Sequence, residues 1–359
     1  MLASIIVTEA EQVTSRPRQS RVLRGVVRTL IALAVAGAVI LAAAYLVETV
    51  RMHRLASYPP PGAIYKLDNY AAHLNCTGAG SPTILLEAGL GDDFLSWRRV
   101  QPQLSTLTRV CSYDRAGYGW SAPRPGPRDT DHIVRELHAL LTQAQIQGPL
   151  VLMGHSAGGL FIRKYAATYP EGIVALVFVD ASTPTQFERL PAEMRGVEDF
   201  RWDKLFLPFG ITRLRGHCGA PDPLTPAMKP LLQWHDCTPQ TFATTEREEK
   251  DFPLMASEAK GTGPYGDIPI LIFSQDPALH FGNLPFSLDV ARQGAVTWNT
   301  LQEELKQLSP RSRRIIARGS THYIQIIRPE LVIREVQHLI LELRGTEPPR
   351  QDYGSTTTQ

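Results

Sequence analysis

The segment that decides the fold reads PLVLMGHSAGGLFIRKYAATY and covers residues 149–169. Its first half is a short apolar run of the kind found in buried strands, and its second half is long enough for a helix. The two halves meet at Gly154-His155-Ser156-Ala157-Gly158, which has the G-x-S-x-G spacing of a nucleophile elbow. Small residues two positions either side of a serine allow a tight turn that exposes its hydroxyl. Ser156 is therefore the predicted nucleophile.

The rest of the chain alternates in the same way between short apolar runs and longer amphipathic stretches. The other strand-like runs cover residues 82–89, 108–114, 175–182, 269–276 and 313–320, and the helix-like stretches cover residues 130–145, 157–169, 298–308 and 329–343. Such alternation indicates βαβ units, and hence a mostly parallel sheet with helices on both faces. We therefore predict one α/β domain over residues 64–344, with about eight strands. Residues 183–266 lack a strand pattern and are rich in proline and aromatic residues, which indicates an insertion.

A serine nucleophile needs a base, and the base needs an acid to orient it. Ten histidines are present, but only His322 follows the last predicted strand. Asp276 ends the strand before it, so the chain order is serine, acid, histidine, as in one class of triads. Asp180 ends the preceding strand and could reach the same imidazole, so it is the competing acid. The predicted triad is Ser156, Asp276 and His322.

Two backbone N–H groups are needed to bind the oxyanion of a tetrahedral intermediate. The N–H of Ala157, directly after the nucleophile, is the first, and the following helix adds the positive end of its dipole. The loop at residues 88–91 is predicted to supply the second donor, from the N–H of Leu90. Asp114 and Arg115 end another predicted strand, and we expect them to fix the wall of the site rather than to react.

Four motifs carry a resemblance to a known family. They are LLEAGLGDDFLSW at residues 85–97, YDRAGYGWS at 113–121, MGHSAGG at 153–159 and GSTHYIQIIRPELV at 319–332. On these motifs the chain resembles the α/β-hydrolase fold superfamily, in its serine hydrolase branch, over about residues 64–343. The resemblance implies Ser156 as nucleophile, His322 as base, Asp276 as acid, and a lid formed by the insertion. A mechanism on these groups needs no metal or organic cofactor.

Two departures from the family pattern bear on the oxyanion loop and the acid. Many relatives have His-Gly where this chain has Ala88-Gly89, which keeps the backbone donor but removes a supporting side chain. The segment Ser274-Gln275-Asp276-Pro277 lacks the G-D-x-D pattern common in relatives, so the acid is less clearly marked than the nucleophile. The dehalogenase and epoxide-hydrolase branches use an aspartate nucleophile, and Ser156 argues against both.

An uncharged apolar stretch, residues 29–47, lies near the N-terminus. Its roughly 19 residues would span about 30 Å as a helix, which matches the hydrocarbon core of a bilayer. Five arginines precede it and only two follow closely, beside Glu48, so the positive-inside rule predicts an extracytoplasmic catalytic domain. We therefore predict a basic cytoplasmic leader over 1–28, a transmembrane signal-anchor helix over 29–47 and a linker over 48–63. The alternative is a secreted protein whose signal peptide is cleaved near Ala42-Ala43-Ala44.

The chain has four cysteines, an even number that suits an oxidising compartment. They allow three pairings, of which we favour Cys76 with Cys111 and Cys218 with Cys237. The first pair would join an early strand to the strand at 108–114, and the second would close a loop inside the insertion. The alternative for the second pair is a zinc site, whose ligands would be His217, Cys218, His235 and Cys237.

These features predict a serine hydrolase that cleaves a small-molecule carboxylic ester, with a lipid-like ester favoured by a tether beside the bilayer. Residues 200–214 of the lid are apolar and aromatic, and either line an acyl pocket above Ser156 or pack the lid on the main domain. An acyltransferase, thioesterase, perhydrolase or carbon–carbon hydrolase on the same triad is an alternative, as is a non-catalytic, membrane-tethered binding module. A formal net charge of +2 gives no case for a nucleic-acid partner. Residues 345–359 are predicted to be a disordered tail.

Overall fold

The structure, a computed structural model, describes most of the chain, including both flanks of the predicted elbow. The described residues are 17–347 without 69, 196–199, 217, 219–227 and 280–285. Most of the predicted basic leader and most of the predicted tail therefore lie outside them.

An eight-stranded sheet forms the centre of the molecule. Its strands are β1 Ala63–Lys66, β2 Ala71–Thr77, β3 Thr83–Glu87, β4 Val110–Tyr113, β5 Leu150–His155, β6 Ile173–Val179, β7 Ile270–Gln275 and β8 Ser312–Ala317. Their order is β1-β2-β4-β3-β5-β6-β7-β8. The pairs β1–β2 and β2–β4 are antiparallel and all other pairs are parallel, so only β2 runs in the opposite direction and the carboxyl ends of the other seven strands share one edge. The predicted mostly parallel α/β sheet is confirmed.

Twelve α-helices lie in the described part of the chain. They are α1 Pro17–Ala56, α2 Gln101–Leu104, α3 Thr130–Gln143, α4 Gly158–Thr168, α5 Gln186–Arg189, α6 Arg201–Phe206, α7 Ile211–Leu214, α8 Lys229–His235, α9 Pro239–Glu258, α10 Leu288–Glu304, α11 Ile324–Ile327 and α12 Pro329–Leu343. Short 3-10 turns cover Phe94–Trp97, Ala192–Arg195, Leu207–Phe209 and Leu305–Leu308. The last two predicted helices correspond to α10 and α12. Helix α10 begins at Leu288, ten residues before the predicted position 298, and is capped by the Ser287 side chain, which accepts from Val290 N.

Helices cover both faces of the sheet, which explains why its central strands are apolar without alternation. On β5, the neighbouring side chains of Val151 and Leu152 are both fully buried but belong to different core clusters. Leu152 packs with side chains of α3 and α4, and Val151 packs with side chains of α12. The two core clusters, one on each face of the sheet, pack β5 and the elbow that follows it in the middle of the molecule.

The insertion carries no strand within its described residues and contains α5 to α9. Its main element is α9, a 20-residue helix that begins at Pro239 and is capped by Thr238, whose Oγ1 accepts from Thr241 N at 2.9 Å. Side chains of α9 pack with Ala157 and Phe161 at the start of α4, so α9 lies over the elbow. The insertion thus occupies the position predicted for a lid.

Both favoured disulfide pairings are confirmed. Cys76 and Cys111 face each other in the antiparallel pairing of β2 and β4, and Cys218 is joined to Cys237 inside the insertion. The zinc alternative is wrong, because both of its sulfur ligands are in the second disulfide and His235 bonds to Asp93. Its fourth proposed ligand, His217, lies outside the described residues.

Helix α1 is longer than the predicted anchor segment, because it continues through 48–56, the first part of the predicted linker. Residues Val22–Ala56 of this helix are long and apolar enough to cross a membrane, by length and composition. Near its C-terminal end Glu48 and Leu55 are buried against the insertion. The helix is therefore fixed to the lid rather than joined to the domain by a loose spacer.

Candidate functional site

Ser156 occupies the sharp turn between β5 and α4, as the elbow motif predicts. Its φ of +52° is in the left-handed region, which non-glycine residues rarely adopt. A Cβ on Gly154 would lie 2.5 Å from Gly158 O, and one on Gly158 would lie 2.6 Å from Glu87 O. Both positions therefore require glycine, and the backbone of the elbow is held by a bond from Ser182 N to Ser156 O at 2.8 Å. The surrounding packing and this hydrogen bond maintain the strained backbone of Ser156, as is common where a reactive side chain must be presented.

His322 lies in the loop between β8 and α11, and its acid partner is Asp180. The Nδ1 of His322 is 2.7 Å from Asp180 Oδ2. Asp180 is fully buried at the end of β6, where its φ of +43° marks a second strained turn. Its other oxygen, Oδ1, accepts from Gln275 N and from Trp298 Nε1, each at 3.0 Å. These donors fix the carboxylate, so it can hold one tautomer and one orientation of the imidazole.

Asp276, the preferred acid from the sequence, does not bond to His322 in the described structure. Its Oδ2 accepts from Gly319 N at 2.9 Å, and its Oδ1 accepts from Ala278 N at 3.0 Å and from Arg318 Nη1 at 3.2 Å. Burial opposes ionisation, but these bonds outweigh it and lower the pKa of Asp276. The contacts of His322 therefore favour Asp180, the sequence-based alternative, over the expected Asp276 as its partner. Asp276 instead anchors the start of the loop that carries His322.

His155 supports the base from the nucleophile side. Its Nε2 is 3.2 Å from the carbonyl oxygen of His322, and the two rings are 4.7 Å apart. Burial lowers the pKa of His155, against the opposing effect of Asp92, whose Oδ2 is 3.5 Å from Nδ1. A buried neutral imidazole beside His322 adds no positive charge when the base is protonated. The elbow and the histidine loop are thereby in direct contact.

The predicted oxyanion loop packs directly on the nucleophile. A Cβ on Gly89 would lie 3.2 Å from Ser156 Cβ and 2.9 Å from His155 Nδ1, so only glycine fits there. Within the described residues, the backbone N–H groups of Leu90 and Ala157 donate to no protein group. Buried N–H groups are otherwise almost always paired. Two unused donors beside the elbow are what an oxyanion site requires.

Arg115 fixes the predicted oxyanion loop through hydrogen bonds to its carbonyl groups. It belongs to a buried network that was not predicted from the sequence. Its Nη1 donates to Ala88 O at 2.8 Å and its Nη2 to Gly89 O at 2.7 Å. The same guanidinium pairs with Glu87 at 3.0 Å and with Glu248 of α9 at 2.9 Å. The expected role of Arg115 in fixing the wall of the site agrees with these contacts. The lid helix is tied through Glu248 to the loop that faces Ser156.

The pKa values of the two glutamates in this network are shifted in opposite directions. Burial raises the pKa of Glu87 to about 7, although Arg115 and a bond from Tyr113 oppose it. For Glu248, burial is outweighed by Arg115 and by Arg128, whose Nη2 lies 2.7 Å from Oε1, and the pKa falls to about 2. Glu248 therefore remains charged at all ordinary pH values. It is the anion that neutralises the buried guanidinium.

A second buried cluster lies beside the loop that follows β3. Oxygens or nitrogens of Asp93, Asp114 and His235 lie within 4.8 Å of one another, which is close enough for a metal ion. Each group already has protein partners: Asp114 accepts from Phe94 N at 3.0 Å and from His73 at 2.7 Å, and His235 bonds to Asp93. The cluster is thus explained as a hydrogen-bonded network that fixes the loop after β3.

Known proteins share this fold. A family model described as the alpha/beta hydrolase fold matches residues 82–216. The chain is an α/β-hydrolase-fold protein. A probable hydrolytic enzyme from Pseudomonas aeruginosa PAO1 is similar, with a TM-score of 0.58 and 18% identity, over 79% of this chain and 95% of that chain. A thermophilic esterase from Thermogutta terrifontis is also similar, with a TM-score of 0.53 and 17% identity, over 79% of this chain and 99% of that chain.

The likeness of this α/β-hydrolase-fold chain to curated relatives is local. It is 37% identical to a probable transporter from Hormonema carpetanum over 116 residues, which are 31% of this chain and 17% of that protein. The chain spans 17% to 53% of the length of three curated relatives that it matches. Each match covers about a third of this chain, so these relatives do not define an activity for the whole chain.

Proposed function

We propose that this chain is a membrane-anchored serine hydrolase that cleaves a carboxylic ester through an acyl-enzyme on Ser156. One observation carries the proposal: the 2.7 Å contact between His322 Nδ1 and the buried Asp180 carboxylate, on the sheet edge that also carries the elbow. A buried carboxylate that orients an imidazole is the arrangement that activates a serine hydroxyl, and the elbow holds the half-buried Ser156 at the same sheet edge. The similarity in fold to hydrolytic enzymes supports the same reading.

The reaction begins when Ser156 Oγ attacks the ester carbonyl carbon. His322 takes the hydroxyl proton on Nε2, and Asp180 stabilises the resulting imidazolium. The carbonyl oxygen becomes an oxyanion that the N–H groups of Leu90 and Ala157 bind. Collapse of the intermediate breaks the bond to the alkoxy oxygen, which receives the proton from His322 and leaves as the alcohol.

Water completes the cycle by the same steps. His322 removes a proton from water as it attacks the acyl carbonyl, and a second oxyanion forms in the site of Leu90 and Ala157. Collapse of this intermediate releases the carboxylic acid, and the proton returns to Ser156 Oγ. Every step uses only groups of this chain.

Helix α1 provides the proposed anchor. Its apolar length suits a bilayer, and the arginines before residue 29 favour a cytoplasmic N-terminus. The two disulfides suit an extracytoplasmic position for the domain. We propose that the chain is a single-pass protein organised as leader 1–28, anchor, hydrolase domain to residue 344, and tail. Retention of the N-terminal peptide in the mature membrane protein, read by mass spectrometry, distinguishes an anchor from a cleaved signal peptide.

A fluorophosphonate probe tests the nucleophile. The full-length protein in detergent is expected to react with the probe, and Ser156→Ala is expected to lose the reaction. Labelling that persists in Ser156→Ala would refute the nucleophile, and absence of labelling in a folded wild-type protein would favour a binding module. Product analysis with and without an alcohol acceptor separates hydrolysis from acyl transfer.

The proposed substrate is a lipid-like ester, because the domain is held next to the bilayer. Activity against p-nitrophenyl esters is expected to rise from short to medium acyl chains, since a longer chain buries more apolar surface. A steady fall with chain length would contradict this part of the proposal without affecting the nucleophile.

A further inference from the structure

We propose that the lid carries a membrane-contact surface, the lid platform, which lies in the interfacial layer of the bilayer beside α1. The lid platform comprises residues 200–216, which contain α6 and α7. The proposal rests on the proposed membrane span of α1 and goes beyond it, because it assigns a bilayer contact to a part of the catalytic domain. Phospholipid is the partner, and the contact faces the leaflet from which the C-terminal end of α1 emerges.

A buried ion pair docks the lid platform at one position on α1. Arg213 donates from Nη2 and Nε to Glu48 Oε1, at 2.8 Å and 3.1 Å. Glu48 is 5% exposed and Arg213 is 7% exposed, so both charges have left water and depend on each other. At Gly210, with φ +71°, a Cβ would lie 2.9 Å from Glu48 Oε2, so the backbone of the platform meets this carboxylate closely. The platform therefore cannot slide along the helix without losing the pair.

The position at which the platform docks on α1 sets its depth in the bilayer. Phe209 contacts Tyr45, with ring centroids 6.4 Å apart. Tyr45 lies within the apolar run of α1, three residues before Glu48, a distance of about 4.5 Å along the helix axis. The platform thus meets α1 where the apolar run ends, which is the level of the lipid headgroups and upper acyl chains. Aromatic side chains are enriched at that level of membrane proteins.

Three large apolar side chains of the platform are exposed, together with the charged Arg201 and Arg215. Trp202, Leu205 and Leu214 are 59%, 54% and 85% exposed. The exposed Arg215 follows directly, where a cation can reach lipid phosphate. Large apolar side chains with an adjacent cation are the composition of segments that lie in a membrane interface. The bilayer beside α1 is the occupant that the position of these side chains favours.

The same platform is joined to the helix over the active site. Lys204 pairs with Glu246 of α9 at 2.6 Å, and Phe200 packs edge-on against Phe242 of α9. Two residues after Glu246, α9 carries Glu248, the partner of Arg115. The membrane contact is therefore connected to the oxyanion loop through a single helix.

Quenching of tryptophan fluorescence by brominated lipid tests the contact. The full-length protein is reconstituted in nanodiscs of phosphatidylcholine brominated at carbons 6 and 7 of one acyl chain, and in unbrominated nanodiscs as reference. The chain has five tryptophans, of which Trp202 is on the platform. We expect Trp202→Phe to lose most of the quenching that the wild type shows. Trp97→Phe, which removes an indole buried in the core, is the matched control and should keep it.

Equal quenching in Trp202→Phe and in the wild type, or no quenching in the wild type, overturns the proposal. Two further measurements separate this failure from failure of the proposed function. Resistance of the protein to alkaline carbonate extraction reports the span of α1, and fluorophosphonate labelling reports both the active site and the folding of each variant. A protein that resists extraction and reacts with the probe, but whose Trp202 is not quenched, has an anchor and an active site without the platform contact.

Discussion

His322 Nδ1 and Asp180 Oδ2 lie 2.7 Å apart although the two residues are 142 positions apart in the chain. The indole of Trp298 supports both, because its Nε1 donates to Asp180 Oδ1 at 3.0 Å and its ring packs edge-on to His322 at 6.0 Å. Asp276, from the neighbouring strand end, bonds to Arg318 and Gly319 of the loop that carries His322, and to Ala278 N of its own loop. The two carboxylates at one sheet edge thus have separate tasks, one on the imidazole and one on the loop that presents it.

Substitution of the two aspartates distinguishes these tasks. We expect Asp180→Asn to lower kcat roughly 10⁴-fold, because an amide cannot hold the imidazole in the required tautomer. Asp276→Asn removes only part of a loop anchor, so the expected loss is about tenfold at most. Steady-state kinetics on one chromogenic ester provides both values, with thermal unfolding as the folding control. A larger loss in Asp276→Asn than in Asp180→Asn would return the acid to Asp276.

Arg115→Lys tests how the oxyanion loop is positioned. A lysine cannot donate at once to Ala88 O, Gly89 O and Glu248, because it presents one ammonium in place of a planar fork. A displaced N–H donor typically costs about 10²- to 10³-fold in kcat, so a fall of about 10²-fold with little change in KM is expected. Arg311→Lys, at an exposed pair with Glu342, is the control and should retain activity. A change in KM alone would show that Arg115 affects substrate binding instead.

Acid is expected to weaken the lid network through Glu248. The folded pKa of about 2 lies below the unfolded value near 4.5, so the stability that this carboxylate contributes is present above pH 4.5 and is lost as the pH falls toward 2. Between pH 5 and pH 3 the loss amounts to about 2 kcal/mol. Urea unfolding in detergent at the two pH values measures it. Glu248→Gln should be less stable than the wild type and less dependent on pH in this range.

Glu188→Gln, which changes an exposed partner of Lys260, is the control for that series and should keep the pH dependence of the wild type. A pH dependence in Glu248→Gln equal to that of the wild type would show that Glu248 is not the responsible group.

Glu48→Gln tests the docking of the lid on α1. The substitution removes the carboxylate to which Arg213 donates from Nε and Nη2, and breaking a buried ion pair costs about 3 kcal/mol. Amide hydrogen exchange in nanodiscs should then become faster in α6 and α7, while the sheet is unaffected. Arg51→Gln is the control, because Arg51 lies 3.9 Å from Glu48 and is largely exposed. Exchange in α7 as slow as in the wild type would show that the pair does not hold the lid.

The sequence was sufficient for the features that local patterns encode. The strand that leads to Ser156 is marked by its continuous apolar run and by the glycines of the elbow, and the loop of His322 is marked by its position after the last strand. Neither Asp180 nor Asp276 is marked in this way, because both end adjacent parallel strands. The choice between them depends on the left-handed turn at Asp180 and on the donor Trp298, which only the fold brings together.

The burial of Glu248 and Glu48 in ion pairs could not be predicted from the sequence for a related reason. Glu248 is 133 residues from Arg115 and lies on a helix of the insertion, for which the sequence analysis predicts no helix bounds. Glu48 follows directly after the apolar run, and the sequence shows it only as a charge near the two arginines that follow that run. A buried carboxylate cannot be told from an exposed one by its sequence position, since its burial depends on a partner that arrives from elsewhere in the chain.

The most direct test of the proposed mechanism is detection of the acyl-enzyme. The full-length protein is mixed with p-nitrophenyl butyrate, quenched in acid within the first turnovers, digested and mapped by mass spectrometry. We predict a butyryl group on Ser156 in the wild type and no butyrylated peptide in Ser156→Ala. An acyl group on another residue, or continued turnover by Ser156→Ala, would contradict the assignment of Ser156 as the nucleophile.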